Sequence, residues 1–349
     1  MATLGVFVDE VDTSRISLPL AAALNAFSNT LRAESFPEDP PESLAQTCEQ
    51  YANLPPSVAL RQFLARDSDG TIAGIARLGV SRADENRHLA DVAVRVRPNR
   101  RRRGVGTLLL AAVVEAAERA QCTLIIAGTS DRVPAGALFA ARFGATMAMA
   151  EHLQRLSLSD HDIHVVDGWL DEAARRSRGY SLLAVDGPYP EDLLPAALPL
   201  WAVHNAAPRG SLEVEDTRWT VDRLRDFESL IAAAGDERWS LFAKHIPTGE
   251  LVGFTEVLWN AKSPELVWQI GTAVRPDHAR HGLARRLKTA MLRRILASPR
   301  GAEEVRGTTA DSNAAMLGIN RALGMRTYCT AMSWQASVAA VHARLPARC

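Results

Sequence analysis

Two glycines follow a run of arginines in the segment between Val94 and Thr107. An apolar alternation ends at Pro98, four consecutive arginines follow, and Gly104 and Gly106 then lead into an apolar helical pattern. Glycine lets the backbone approach a ligand closely, and the free N–H groups at a helix N-terminus favour an anion. Guanidinium groups also match the geometry of phosphate oxygens. The segment therefore predicts a site for a phosphorylated ligand; the alternative is a solvated basic patch.

A second segment repeats these features in the other half of the chain. A Val-Arg-Pro strand end at Pro276 is followed by a basic loop with Arg280 and His281, then by Gly282 and a helical pattern. Three pairs of similar positions keep nearly the same separation along the sequence, namely Pro98 with Pro276, Gly144 with Gly324, and Gly74 with Gly253. A shared order and spacing indicate a duplicated domain. We therefore predict an N-terminal domain over residues 1–158 and a C-terminal domain over residues 159–349.

The elements that must position these loops follow one another in the same order in each half. Periodicity and turn signals predict strands at 5–11, 63–66, 72–78, 88–96, 124–127 and 146–156 in the first half and at 181–185, 239–244, 251–259, 266–274, 304–309 and 326–335 in the second. Helices are predicted at 18–31, 42–51, 135–143, 191–203, 220–234, 283–296 and 313–322, and after the first glycine loop. The polar segment 157–179 is predicted to connect the two domains, with a helix at 169–178 as an alternative. This pattern predicts a mixed α/β (α+β) fold in which each domain has a central mixed sheet flanked by helices.

The composition excludes several classes of function. The formal net charge is zero, so no overall field attracts nucleic acid or a membrane surface. No apolar run is long enough to span a bilayer, and the residues from Met1 to Gly5 do not begin a signal peptide. The four cysteines, which include Cys349, show no C-x-x-C spacing and suggest reduced thiols. We expect a cytoplasmic protein without nucleic-acid or membrane partners.

Both halves resemble the Gcn5-related N-acetyltransferase (GNAT) family, and the duplication resembles its two-domain members such as mycothiol synthase. The family signature is Arg/Gln-x-x-Gly-x-Gly/Ala after a strand that ends near proline. The first half matches it fully, with Arg101 three residues before Gly104 and with Gly106 in the last position. The second half keeps Gly282 but has Ala279 at the leading position. This departure matters little, because backbone N–H groups make most of the loop contacts.

The resemblance implies a cofactor site in each half. In the family, loop amides bind the pyrophosphate of acetyl-CoA and the strand before the proline pairs with the pantetheine arm. The implied pyrophosphate contacts are Arg101, Arg102, Arg103, Gly104, Val105, Gly106 and Thr107, and in the second half Arg280, His281, Gly282, Leu283, Ala284 and Arg285. The implied pantetheine contacts are Val94, Val96, Thr272 and Val274, with Asn313 also near the cofactor. We expect acetyl-CoA, or another acyl-CoA, as co-substrate and no metal.

The resemblance also indicates where the general acid is missing. The family often carries an asparagine early in the last helix and, seven residues on, a tyrosine that protonates the leaving thiolate. Asn313 matches the first position, and Asn320 replaces the tyrosine. An amide can only donate a hydrogen bond, so an ordered water or His278 are the alternatives for the proton transfer. The matching first-half positions carry no such polar groups.

An amine nucleophile must lose a proton, so a base is needed. Glu256, on the central strand of the second half, is the best carboxylate, although an exposed strand residue is the structural alternative. The first half has Arg77 at the matching position, and arginine cannot act as a base. We therefore expect a catalytic C-terminal half and an N-terminal half that binds CoA structurally or has lost activity.

These features together predict an acyl-CoA-dependent N-acyltransferase that acts on a small amine by direct attack on the thioester. A monomer or a homodimer is expected. One alternative is a non-catalytic acyl-CoA-binding or sensing protein, because both halves lack the tyrosine. Another is the tandem-domain class that transfers aminoacyl groups from tRNA, against which the two glycine loops argue.

Overall fold

The computed structural model describes residues 5–346 of the 349-residue chain. Cys349 and most of the segment that begins at Met1, for which expectations were stated above, lie outside the described residues. None of the helices formed by residues 5–346 has the length and apolar character needed to cross a membrane.

The strands and helices follow the predicted order. The strands are β1 (Val6–Val11), β2 (Val58–Asp67), β3 (Ile72–Ser81), β4 (Leu89–Val96), β5 (Leu124–Ser130), β6 (Thr146–Ser157), β7 (Tyr180–Asp186), β8 (Asp236–His245), β9 (Leu251–Asn260), β10 (Leu266–Val274), β11 (Glu304–Ala310) and β12 (Arg326–Ser337). The helices are α1 (Leu18–Ser35), α2 (Leu44–Ala52), α3 (Val105–Arg119), α4 (Pro134–Arg142), α5 (Ile163–Arg176), α6 (Leu194–Asn205), α7 (Val221–Ala234), α8 (Leu283–Leu296), α9 (Ala314–Ala322) and α10 (Val338–His342). Short 3₁₀ turns cover Pro98–Arg100, Leu158–Asp160 and Pro276–His278.

The chain divides into two compact units. Among the described residues, unit 1 contains 5–150, 210–215 and 330–346, and unit 2 contains 151–209 and 216–329. The boundary between residues 158 and 159 stays a prediction about where the two sequence repeats meet. The compact units differ from those repeats in the segments that each unit takes from the other half of the chain.

Unit 1 is built on a mixed sheet in the order β1-β2-β3-β4-β5-β12. Strands β4 and β5 are parallel and the other neighbours are antiparallel. Helix α3 buries Leu109 and Val113 against one face of this sheet. On α1, Leu24 and Phe27 belong to a second apolar cluster together with Ile75 of β3.

Unit 2 repeats this arrangement with the order β6-β11-β10-β9-β8-β7, in which only β10 and β11 are parallel. Helix α8 buries Leu287 and Met291 against one face. Trp201 of α6 and Phe254 of β9 belong to another cluster, which also includes Leu224 of α7. Both units therefore have a mixed sheet flanked by helices, and the predicted fold class is confirmed.

Two strands pair differently from the simplest expectation of the sequence pattern. Residues Ala331–Ser337 of β12 pair with β5 and complete the sheet of unit 1. Residues Glu151–Ser157 of β6 pair with β11 and complete the sheet of unit 2. Each sequence half thus contributes its last strand to the unit built mainly from the other half, as in an exchange of equivalent elements.

The predicted polar connection at residues 157–179 contains a regular helix. Helix α5 begins at Ile163, where the side chain of Asp162 accepts a hydrogen bond from the N–H of His164. Val166 and Ala173 are buried, so one side of the helix is part of the core of unit 2. The sequence pattern had indicated a helix only from Trp169 onward, because the short polar start hides the apolar spacing.

The close approach of β3 to α3 predicts a specific stability effect. A Cβ atom at Gly74 would lie 2.8 Å from Cδ1 of Leu109 and 2.9 Å from the carbonyl oxygen of Arg95. We expect Gly74→Ala to lower the free energy of unfolding by about 1–3 kcal/mol, because it overpacks this contact. Urea unfolding measures the change.

Gly128→Ala on β5 is the matched control, because a Cβ atom there would meet nothing within 4 Å. Its free energy of unfolding should stay equal or rise slightly. Equal losses in the two variants would contradict the proposed close packing at Gly74.

Candidate functional site

In unit 1 a sharp turn joins β4 to α3. Gly104 stands immediately before α3 with a left-handed backbone (φ 84°), and no side chain caps the helix. The first N–H groups of a helix have no partner within the helix, and they carry the positive end of its dipole. The residues that open α3 therefore present backbone amides that can bind an anion, as the sequence predicted.

Two of the four consecutive arginines hold this loop in place. Both terminal nitrogens of Arg101 donate to the carboxylate of Glu34 at 2.5 Å, and its Nε donates to the carbonyl oxygen of Val96 at 3.1 Å. Arg100 forms an ion pair of 2.7 Å with Asp67. These side chains tie the loop to α1 and to β2, so their charges are neutralised within the protein.

The other two arginines of the run have free side chains. Arg102 and Arg103 are exposed and make no hydrogen bond or ion pair with any residue that the structure describes. Arg102 also has a left-handed backbone (φ 61°), which reverses the chain just before Gly104. Their guanidinium groups are therefore the ones free to bind phosphate oxygens beside the helix N-terminus.

Unit 2 has the same turn between β10 and α8. Gly282 precedes α8 with φ 75°, again without a side-chain cap, and Arg280 has φ 64° where the first loop has Arg102. Gly282 and Arg280 thus reproduce the backbone of the first loop. The charges differ, because Arg275 is paired with Asp277 at 2.6 Å and the segment contains no run of arginines.

Three other side chains of the unit 2 loop contact neighbouring parts of the same unit. The side chain of Leu283 is buried in the core, and Arg285 lies 3.9 Å from Glu172. His281 lies with its ring centroid 5.8 Å from that of Tyr180. The backbone amides at the start of α8 are therefore the groups of this loop that are best placed to bind an anion.

In each unit the parallel strands part next to the loop. The pairing of β4 with β5 ends at Val92 and Ala127, although β4 continues to Val96. The pairing of β10 with β11 ends at Gln269 and Gly307, although β10 continues to Val274. Backbone groups beyond these points have lost a strand neighbour on one side, so they can pair with an extended amide-bearing ligand.

The residues implied to bind pantetheine lie in these parting segments. Val94 and Val96 follow the last pair of β4 with β5, and both also contact the core of unit 1. Thr272 and Val274 hold the equivalent positions of β10, where the hydroxyl of Thr272 lies 2.7 Å from that of Thr255. The cofactor contacts stay predictions.

Of the two equivalent strands β4 and β10, it is β10 that pairs irregularly with its antiparallel neighbour where the sheet opens. Its pairing with β9 shifts register between Gln269 and Gly271, whereas β4 pairs with β3 without a shift. The amide of Gln269 donates to the carbonyl oxygens of Gly271 at 2.9 Å and Glu256 at 2.7 Å. Its oxygen accepts from Nζ of Lys288 at 3.1 Å, and burial lowers the pKa of Lys288 to about 8. A bulge of this kind redirects the residues that follow it.

Glu256 lies at the centre of a buried polar cluster. It is 0% exposed, and its Oε1 accepts hydrogen bonds from the hydroxyls of Tyr189 and Ser240. Nε of Arg238 lies 3.9 Å from the same oxygen, while Oε2 has no hydrogen-bond partner within the described residues. Burial raises the pKa of the Glu256 carboxyl, and the Arg238 charge opposes this. The sequence alternative of an exposed strand residue is therefore wrong.

Arg77 occupies the position of Glu256 in unit 1. The backbone registers agree, since Gly74 pairs with Val96 just as Gly253 pairs with Val274. The two copies therefore place an arginine and a glutamate at one point of the same framework.

The other predicted polar residues lie elsewhere. Asn320 is buried and donates from its amide nitrogen to Gln154 at 2.7 Å and to Thr309 at 3.1 Å, so both amide hydrogens are used inside the fold. Asn313 caps α9 by accepting from the N–H of Met316. The Nδ1 of His278 lies 2.9 Å from the hydroxyl of Tyr180, in the turn after β10. Their predicted roles stay predictions.

His204 of α6 is a candidate that sequence analysis missed. A Cβ atom at Gly271 would lie 3.4 Å from its Nε2, so the imidazole is next to the bulge of β10. Burial lowers the pKa of His204 and favours the neutral imidazole, which can accept a proton. The sequence around His204 is mostly apolar, and only the packing of α6 against β10 shows that the imidazole lies next to the bulge.

No group of three or more histidine, cysteine, aspartate or glutamate side chains among residues 5–346 is arranged to hold a metal ion. The cavity of about 740 Å³ in unit 2 is lined by the C-terminal part of α8 and by the start of β8. It therefore lies at the opposite end of α8 from the glycine loop and belongs to a different part of the unit.

Family models match both halves. A model described as "Acetyltransferase (GNAT) family" matches residues 24–145, and one described as "Acetyltransferase (GNAT) domain" matches residues 191–326. These matches include well over half of the chain, which belongs to the GNAT acetyltransferase family and carries two such domains in tandem. It is accordingly an acyltransferase that depends on acyl-CoA. No curated protein matches the sequence significantly.

Solved structures agree with this architecture over nearly the whole chain. A tandem GNAT protein from the clavulanic acid biosynthesis pathway, solved without acetyl-CoA, is 24% identical with a TM-score of 0.76, and the alignment covers 95% of this chain and 98% of that one. A GCN5-related N-acetyltransferase from Sphaerobacter thermophilus is 14% identical with a TM-score of 0.69, covering 95% and 96%. At these identities the likeness shows the fold.

The contrast between paired and free arginines predicts different effects of the same substitution. We expect Arg103→Gln to weaken the binding of CoA to unit 1 about 3- to 10-fold, because a charge-assisted contact to phosphate is lost. The effect should shrink at high salt. Calorimetric titration with CoA measures both changes.

Arg100→Gln is the matched control in the same run. It should lower stability by roughly 1 kcal/mol through loss of the Asp67 pair and leave CoA affinity nearly unchanged. A larger loss of affinity in Arg100→Gln than in Arg103→Gln would contradict this division of roles.

Proposed function

We propose that the protein transfers the acetyl group of acetyl-CoA to a small amine, and that unit 2 carries out the reaction. The observation that carries the proposal is the difference between Glu256 and Arg77 at one position of a duplicated framework. A carboxylate can accept a proton from an amine, whereas a guanidinium cannot. The bulge in β10, which β4 lacks, further supports unit 2 as the place of the chemistry.

The proposed reaction begins with loss of a proton from the ammonium form of the acceptor. Glu256 takes this proton through an ordered water, because its carboxylate has no direct contact with solvent. Its pKa, raised by burial, brings the carboxylate closer to the working pH of a general base. The neutral amine then attacks the thioester carbon directly, the C–N bond forms as the C–S bond breaks, and the second proton of the nitrogen passes through water to the departing CoA thiolate.

The helix-start amides of α8 and the open edge of β10 position the thioester in this proposal. Amides at Gly282 and the residues after it bind the pyrophosphate, and Thr272 and Val274 pair with the pantetheine arm. The Lys288–Gln269 pair keeps the bulge in place, because the glutamine amide donates to the carbonyl oxygens of Gly271 and Glu256 beside the register shift. Such positioning supplies much of the rate enhancement of a direct transfer.

The role of Glu256 predicts a change in the pH profile. As pH falls through the raised pKa, Glu256 becomes protonated and kcat/KM should fall at a higher pH than for an ordinary glutamate. We expect Glu256→Gln to lower kcat about 10²–10⁴-fold and to abolish this acid limb. Ser240→Ala should move the limb to higher pH, because it removes a hydrogen bond that favours the ionised form.

The same experiment tests the neighbouring histidine. If the acid limb persists in Glu256→Gln and disappears in His204→Asn, the base is His204 and the assignment to Glu256 fails. Thiol release from acetyl-CoA with a panel of amines supplies the rates, and a wild-type protein that binds acetyl-CoA without turnover would contradict the proposed reaction.

Substitution of Gly104 and Gly282, the glycines immediately before α3 and α8, identifies the catalytic unit. We expect Gly282→Asp to abolish turnover and Gly104→Asp to preserve most of it, because an added carboxylate repels the pyrophosphate in each loop separately. Both positions have left-handed backbones, so the two variants have similar strain and thermal melting should change equally. If only the Gly104 variant is inactive, unit 1 is the catalytic one.

A further inference from the structure

We propose that unit 1 binds a carboxylate between Arg77 and Arg95, beside the acyl end of a bound CoA thioester. The carboxylate belongs either to the acyl chain of a dicarboxylic acyl-CoA or to a free carboxylic acid bound next to CoA. This inference rests on the part of the proposed function that assigns CoA binding to the glycine loop of unit 1. It assigns a ligand class to the unit that lacks the catalytic carboxylate.

The two arginines lie side by side at the opening of the sheet. Arg95 pairs in register with Ile75, and Arg77 pairs with Ala93, so the arginines are diagonal neighbours on one face of β3 and β4. Side chains at such positions are about 7 Å apart at Cβ, which long side chains bridge easily. Arg95 lies beyond Val92, the last residue of β4 that pairs with β5.

Within the described residues, neither arginine of this pair forms an ion pair. Arg77 donates from Nε to Oε1 of Gln62 at 2.8 Å and from a terminal nitrogen to the hydroxyl of Tyr51 at 2.6 Å, and both partners are neutral. Arg95 makes no hydrogen bond or ion pair with any described residue. Arg95 is exposed; partial desolvation lowers its pKa, the like charge of Arg77 lowers it further, and the charge of Glu42 opposes this.

Other arginines of unit 1 show how the fold normally treats such charges. Arg61 is paired with Glu10 at 2.6 Å, Arg100 with Asp67 at 2.7 Å and Arg101 with Glu34 at 2.5 Å. The pair at the sheet opening has no such carboxylate partner, a feature it shares with Arg97, which donates to the carbonyl oxygen of Ile72 and the hydroxyl of Thr30. The like charges of two neighbouring guanidinium groups repel each other, and an anion bound between them removes that repulsion.

A buried donor without a partner lies in the same cluster. Gln62 is 0% exposed, its Oε1 accepts from Arg77 and from Tyr51, and its Nε2 has no hydrogen-bond partner among the described residues. Buried amide donors without partners are rare in folded proteins, because each costs a desolvation penalty. The amide that orients Arg77 therefore also has an unused donor beside the proposed anion.

The other repeat confirms that these arginines are not a requirement of the fold. The equivalent of Arg77 is Glu256, and the equivalent of Arg95, which pairs with Ile75, is Ala273, which pairs with Phe254. The framework therefore forms without either arginine. Two positive charges here also repel an ammonium substrate, so the site of unit 1 fits an anion rather than the amine acceptor.

The test compares two CoA thioesters of equal chain length by calorimetric titration of the full chain. Succinyl-CoA ends in a carboxylate and butyryl-CoA ends in a methyl group. We expect succinyl-CoA to bind about 10-fold tighter or more at one site per chain, because charge-assisted hydrogen bonds form only with the carboxylate. Arg95→Gln and Arg77→Gln should each remove most of this preference.

Arg119→Gln is the matched control, since this exposed arginine of α3 forms its ion pair with Glu115 and lies away from the sheet opening. It should keep the full preference. A parallel titration adds free succinate to protein saturated with acetyl-CoA. Succinate binding that disappears in Arg95→Gln, without a preference between the thioesters, identifies a free carboxylate as the ligand.

Two results would overturn the proposal. One is equal binding of both thioesters together with no succinate binding, and the other is a preference that survives in Arg95→Gln. Because Arg95 makes no bonds in the described structure, its substitution should not disturb folding, which thermal melting verifies. Absence of any CoA binding would overturn the proposed function as well, whereas CoA binding without preference overturns this inference alone.

Discussion

The N-terminus of a helix that no side chain caps is the constraint on which both sites depend. Gly104 and Gly282 have left-handed backbones at the residue before α3 and α8, and a side chain there would be strained. The turn leaves the first backbone amides of each helix without internal partners. The loop must therefore be held by other contacts, and in unit 1 the ion pairs of Arg100 and Arg101 provide them.

Duplication kept this framework and changed its charges. The two loops and the two parting pairs of parallel strands agree between the units, and the central hairpins have the same register from the loop up to the bulge in β10. The side chains that face the opening differ in sign, with Arg77 in one unit and Glu256 in the other. Since charge decides which protonation states and ligands a site tolerates, one framework can serve two chemically different sites.

The sequence was sufficient for the features that depend on local pattern. The glycine loops, the duplication, the strands around them and the contrast of Arg77 with Glu256 could all be predicted from spacing. The exchange of β6 and β12 could not, because both copies carry equivalent last strands and the pattern does not tell which copy each one pairs with. The different roles within the arginine run were also hidden, since Glu34 and Asp67 approach it only through the fold.

Unsatisfied polar groups occur at the sheet opening of both units. In unit 1 this group is the amide nitrogen of Gln62, beside Arg77, and in unit 2 it is the second carboxylate oxygen of Glu256. Folded proteins pair almost all buried polar groups, because an unpaired one costs free energy. Both groups lie on or beside the strands that open next to a glycine loop, where a ligand can supply the missing partners. The cost to the apo fold is therefore concentrated where binding can recover it.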